Sequence, residues 1–152
     1  MDFTVQKATE LGVAALQPVV AARSAGRIAA ERAAQKRAHW QRVAVAACEQ
    51  CGRNRVPEIL APLPLEAYCR TPAPASALLL SPEAQLGLRE AAARLQGTAT
   101  LAAGPEAGFT AAEEAMLAQA GFVPVRLGPR VLRTETAALA ALAALNALAG
   151  DF

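Results

Sequence analysis

Two rhythms of apolar positions alternate along this chain: short unbroken apolar runs, and longer stretches with helical spacing. "DFTVQKATELG" carries Phe3, Ala8 and Leu11 as apolar positions and Gly12 as a stop, which predicts a short first helix. "VAALQPVVAA" (13–22) reads as a strand whose Pro18 marks an edge or a bulge. Residues 28–51 predict a long helix ended by Gly52. Its apolar stripe runs Trp40, Val43, Ala47, Cys51, and Arg42, Glu49 and Arg53 form a polar stripe.

Further on, "VPEILAPLP" predicts a short strand between prolines and "SALLLSP" a buried one. "EAQLGLREAAARLQG" predicts a helix closed by Gly97, and "TATLAAG" the next strand. Thr110 and Glu113 have the spacing of a capping box, opening a helix over 111–120 that Gly121 stops. "FVPVRL" is a last strand, and a final helix runs from about Glu135 to Ala149. Strands alternating with helices predict an α/β fold, a parallel sheet flanked by helices. Ligands of such sheets bind outside the carboxyl ends of the strands. Two Gly-Pro turns, Gly104-Pro105 and Gly128-Pro129, fall at such ends.

Length and composition sharpen this picture. At 152 residues the chain has the size of one domain, and 54% hydrophobic against 18% charged residues marks it as globular. No apolar run approaches a membrane span, and "MDFTVQKATE" has no signal-peptide core, so a cytoplasmic protein without a membrane partner is expected. The net charge of +2 permits an RNA partner without arguing for one. The positive charge concentrates at Arg23, Arg27, Arg32, Lys36, Arg37, Arg42, Arg53 and Arg55, a stretch that charge alone would leave as a solvated helix face. Cys48 and Cys51 have C-x-x-C spacing, but only Cys69 and His39 remain to complete a zinc set, so no metal is expected.

The Gly-Pro turns are stiff, and their bare backbone can offer N–H and C=O groups to an adenine edge. Neither is G-x-G-x-x-G and neither carries the Lys-Ser/Thr of a P-loop. Singly, each reads as an ordinary strand-to-helix turn. Together with their neighbours they carry a resemblance. "GPEAGF" (104–109), "LGPRVLRTETA" (127–137), "QKATELGV" (6–13) and "ACEQCGRNRVPEI" (47–59) resemble the small-subunit (16S) ribosomal RNA uridine-N3 methyltransferases of the SPOUT superfamily. The four motifs follow in order over nearly the whole chain. GPEAG departs from the family's usual GPEGG at Ala107.

The resemblance implies a parallel sheet with a C-terminal deep trefoil knot and S-adenosyl-L-methionine bound in the knot. Carried over, the cofactor contacts are Leu80, Ala103, Gly104, Pro105, Leu127, Gly128, Val131 and Leu132. Methyl transfer to uridine N3 needs a proton removed or a developing anion stabilised, with N3 in line with the methyl. Arg133 would stabilise O2 or O4, and Glu135 or Glu106 would act as base or orient the uracil. Glu135 could equally be a favourable charge in a first helical turn, and Glu106 could equally just tie down its own loop. Arg23, Arg53 and Arg55 are candidates for RNA contact. The small, apolar last helix suggests burial on more than one side, and the resemblance implies a homodimer. It also implies that residues 1–152 are the methyltransferase domain alone, without the N-terminal PUA-like barrel domain of the family. The alternatives are another SPOUT RNA methyltransferase with a different target nucleotide, or a non-catalytic RNA-binding or dimerisation module.

Overall fold

The computed structural model describes residues 1–24, 30–72, 74–95, 97–149 and 152; Arg27 of the basic stretch lies outside them. Helix α1 (Asp2–Glu10) is followed by β1 (Ala15–Leu16), β2 (Val19–Val20) and the long α2 (Ala30–Cys51). Then come β3 (Glu58–Ile59), β4 (Leu63–Pro64), α3 (Leu65–Tyr68) and β5 (Ala77–Leu80). The chain continues through α4 (Leu88–Ala92), β6 (Thr100–Ala102), α5 (Ala111–Gln119), β7 (Val123–Val125) and α6 (Thr134–Ala149).

Among the described residues every strand pairing is parallel. β1 pairs with β3, β2 with β4, and the three-stranded piece has the order β6-β5-β7. The predicted single strand over 13–22 is two strands, because Pro18 has no N–H to continue the ladder. The Gln17 side chain bridges the gap, donating to the carbonyls of Pro18 (2.9 Å) and Ala61 (2.8 Å). "VPEILAPLP" divides in the same way around Pro62.

The "ALLL" of β5 is apolar on consecutive residues because both of its faces are covered. Ala77 and Leu79 face a cluster with Leu117 of α5, Leu65 of α3, Phe109 and Phe122. Leu78 faces the other way, toward Leu88 and Ala91 of α4 and Ala141 and Leu145 of α6. A third cluster joins Val5 of α1 to Trp40, Ala44 and Ile59. Trp40 also donates its indole N–H to Asp2 at 3.0 Å, and His39 pairs with the same carboxylate at 2.7 Å. These bonds, His39 first, hold the Asp2 carboxyl below its usual pKa.

Three further details differ from the sequence expectation. The helix predicted over 83–97 shrinks to Leu88–Ala92. Residues 86 to 88 spend their backbone on the end of β7 instead: Arg126 N–H donates to Leu86 (2.8 Å) and Leu88 N–H to Arg126 (3.0 Å). On α2 the buried stripe is Trp40, Ala44, Ala47 and Cys48, while Cys51 is exposed. The true spacing of i, i+4, i+7, i+8 tracks 3.6 residues per turn. Finally, α6 is covered on two sides within the chain, by α4 and by α1, and Asn146 donates to the Leu11 carbonyl at 2.6 Å. Helix α1 thus supplies part of the covering of α6 within the chain, while Leu148 stays 48% exposed.

Candidate active site

In the order β6-β5-β7 the chain leaves central β5 for one edge and then crosses to the other. With right-handed crossovers the two connections must run on opposite faces, and α4 and α5 do lie on opposite faces. Where connections diverge, a crevice opens at the carboxyl ends of the strands. A cavity of about 240 Å³ occupies that position. Ser81 and Pro82 after β5, residues 103–106 after β6 and residues 126–128 after β7 bring all three strand ends to its wall. It is small beside the roughly 300–1,000 Å³ usual for drug-sized ligands. Val131, 79% exposed, stands at its rim.

All eight residues carried over as cofactor contacts line this cavity: Leu80, Ala103, Gly104, Pro105, Leu127, Gly128, Val131 and Leu132. Two turns from distant parts of the sequence thus meet at one site. Glu106 lines it as well. Arg133 and Glu135 do not, although their neighbours Leu132 and Thr134 do; Arg133 is exposed and Glu135 half-buried. The sequence reading passed over Arg126, Arg130 and Glu114, which supply the remaining charge of the wall. Arg130 sits inside the quoted LGPR motif, where a cation beside a Gly-Pro turn was a usable signal.

The 104–109 turn is closed by Gly108 N–H on the Pro105 carbonyl at 2.8 Å. Gly104 is needed for packing. A Cβ there would lie 3.0 Å from the Phe109 ring. Gly128 is needed for conformation, with φ +141°, and among the described residues a Cβ there would meet nothing within 4 Å. Ala107 is exposed, so its methyl group is accommodated without crowding.

Behind the turn, Thr110 and Glu113 form the predicted capping box of α5. Glu113 is 3% exposed and does more than cap. Its second oxygen accepts from Ala22 N–H at 2.6 Å. Burial alone would raise its pKa, but the hydrogen bonds from Thr110 and Ala22, with the Arg23 charge nearby, hold it below the usual glutamate value. Of the arginines proposed for RNA, Arg23 donates to the Ala107 carbonyl at 3.0 Å. Arg53 donates to the carbonyls of Thr9 (2.6 Å), Val13 (3.1 Å) and Gly12 (3.4 Å), tying α2 to the end of α1. Arg55 is exposed.

A cavity lined by backbone turns at the diverging ends of parallel strands defines a small-molecule site on an α/β scaffold. Residues 1–146 match the family model described as RNA methyltransferase domain, and the chain belongs to that family. Ribosomal RNA small subunit methyltransferase E of Buchnera aphidicola subsp. Schizaphis graminum is 36% identical over 152 residues, covering 99% of this chain and 61% of the relative. The crystal structure of that enzyme from Neisseria gonorrhoeae, bound to S-adenosylmethionine, is 41% identical with a TM-score of 0.88, over 100% of this chain and 62% of that one. A protein of Legionella pneumophila, solved with the same cofactor, is 38% identical with a TM-score of 0.86, over 97% of this chain and 60% of that one. The chain thus spans about 60% of the length of these proteins. Among the described residues no helix is long and apolar enough to cross a membrane.

Proposed function

We propose that this chain is the S-adenosyl-L-methionine-dependent methyltransferase domain of an enzyme that methylates N3 of a uridine in 16S ribosomal RNA. The observation that carries the reading is the convergence of both Gly-Pro turns on one cavity at the strand ends. The donor set fits the cofactor. Turn backbone can hydrogen-bond adenine, Leu80, Leu127, Val131 and Leu132 offer apolar surface to its faces, and the arginines and glutamates of the wall suit a zwitterionic methionine group. When bound, the cofactor supplies an electrophilic methyl group.

The chain's residues do the rest. Arg133, exposed beside the cavity, stabilises the negative charge that develops on uracil O2 or O4 as the N3 proton leaves. Glu106 at the wall, or Glu135 in the first turn of α6, takes the N3 proton or orients the ring. Arg55 offers a phosphate contact, as does the part of the Arg23 guanidinium left over from its bond to the Ala107 carbonyl, while Arg53 spends both terminal nitrogens within the chain. Residues 1–152 are read as one SPOUT-type domain in a cytoplasmic enzyme, its C-terminal segment threaded as a deep trefoil knot and its active unit a homodimer.

Two measurements test this. Cofactor at 100 times its Kd should stabilise the chain by about 2.7 kcal/mol, raising its Tm by roughly 5–10 °C. No shift at millimolar cofactor would sink the reading. Arg133→Ala should leave that shift nearly intact while abolishing methyl incorporation into small ribosomal subunits, since its role lies in the transition state.

A further inference from the structure

The turn over 104–109 has three consecutive exposed residues, Glu106, Ala107 and Gly108, at its crest. Its outer side is gripped from far away in sequence. Arg23 Nη1 donates to the Ala107 carbonyl at 3.0 Å across 84 residues. One residue earlier, Ala22 N–H donates to Glu113 at 2.6 Å across 91 residues. The other Glu113 oxygen accepts from Thr110 N–H at 2.8 Å, just past the end of the turn. Two adjacent residues at the exit of β2 thus hold the crest and the end of one cavity-lining turn. Helix capping does not require this. A capping box uses one carboxylate oxygen, and here the second is spent on Ala22.

We propose that Arg23 and Glu113 are positioning residues that hold the 104–109 turn in its ligand-binding shape. The proposal rests on reading the cavity as the S-adenosylmethionine site. Neither side chain is a wall residue; they act through the backbone of Ala107 and Thr110, which adjoin the wall residues Glu106, Gly108 and Phe109. The bonds fix where the Ala103-to-Phe109 peptide groups point, and peptide groups are what such a turn offers a ligand. A misplaced donor loses affinity even when the fold is intact.

Two substitutions separate this role from a merely structural one. Glu113→Gln keeps the capping box, which accepts Gln at this position. Its amide –NH₂ then faces Ala22 N–H, donor against donor, so only the tether is lost. Arg23→Ala removes a largely exposed side chain whose loss should barely move the melting point of the unliganded chain. The experiment is calorimetric titration of S-adenosylhomocysteine into the parent, Arg23→Ala, Arg23→Lys, Glu113→Gln and the Arg23→Ala/Glu113→Gln pair. Each single loss should raise Kd about tenfold, the worth of one hydrogen bond. Arg23→Lys should recover most of it, since an ammonium can still reach one carbonyl. The pair should weaken binding by less than the product of the two, because both bonds hold the same turn. Singles that bind like the parent, or a fully multiplicative pair, would overturn the proposal while leaving the cofactor reading intact. A parent that does not bind at all would overturn both.

Discussion

Gly104→Ala tests why the first turn requires glycine. The added Cβ would lie 3.0 Å from Phe109 Cδ2, 3.2 Å from Cε2 and 3.3 Å from the Phe109 backbone nitrogen. Carbon atoms settle at about 3.5–4.0 Å, so the ring would have to retreat by roughly half an ångström. It has little room: Phe109 is 9% exposed in a cluster with Leu79, Leu117 and Phe122. Overpacking of this kind costs about 1–3 kcal/mol, or a fall in Tm of roughly 2–10 °C for a domain of this size. Urea unfolding of the unliganded chain measures it, and Phe109→Leu supplies the control. Leucine lacks the Cε2 edge and can turn its branch away, so Gly104→Ala should cost less in that background, with a coupling of about 1 kcal/mol. If the two changes add to within about 0.5 kcal/mol, or if Gly104→Ala alone is silent, the ring does not explain the glycine. The requirement would then lie with the ligand, as the sequence first suggested.

Other perturbations follow from the same geometry. Arg53→Met removes three carbonyl contacts at the α1 end and should destabilise the unliganded chain by about 1–3 kcal/mol; a normal urea midpoint would return Arg53 to the RNA surface. Glu113 has a lowered pKa in the fold, so its contribution is present above the unfolded value of about 4.3 and is lost as the pH falls through the folded value. The stability gap between the parent and Glu113→Gln should therefore narrow below about pH 4, and a gap constant from pH 6 to pH 3 in urea titrations would contradict this. Leu145 is 8% exposed in the chain's own core, so Leu145→Glu should unfold the protein. Leu142→Glu, at a half-buried position on α6, should instead yield a folded monomer by sedimentation, and an unchanged dimer would remove α6 from the interface.

The sequence made one kind of structure readable and hid another. Elements fixed by their own residues were legible. The Thr110–Glu113 box opens α5 where its spacing said, and Gly12, Gly52 and Gly121, all at positive φ, follow α1, α2 and α5. What was not legible depends on distant backbone. The 83–97 pattern is helical by periodicity, yet residues 86–88 bond to Arg126, so a ladder made forty residues away overrides propensity. Arg53 has the spacing of a solvated stripe, but its guanidinium reaches carbonyls at and just past the C-terminus of α1, those of Thr9, Gly12 and Val13. Glu113 was half legible. Its spacing predicts one oxygen's partner, and nothing local predicts Ala22 for the other.

The site follows the same division, with a twist in the reason for it. Its eight carried-over residues came from a motif resemblance, and periodicity alone would have left two ordinary turns. The two glycines look interchangeable as Gly-Pro pairs, yet different physics requires them. Gly104 has an ordinary φ and is small because an aromatic ring fills its Cβ position. Gly128, at φ +141°, has no described residue within 4 Å of where its Cβ would be, and any L side chain would be strained there. The first turn is thus closed by its own chain, and the second is open at the cavity wall. The second turn is consequently where a ligand can approach bare backbone without displacing protein. The first contributes through peptide groups whose aim is set by Phe109 in front and by the Ala22 and Arg23 tethers behind.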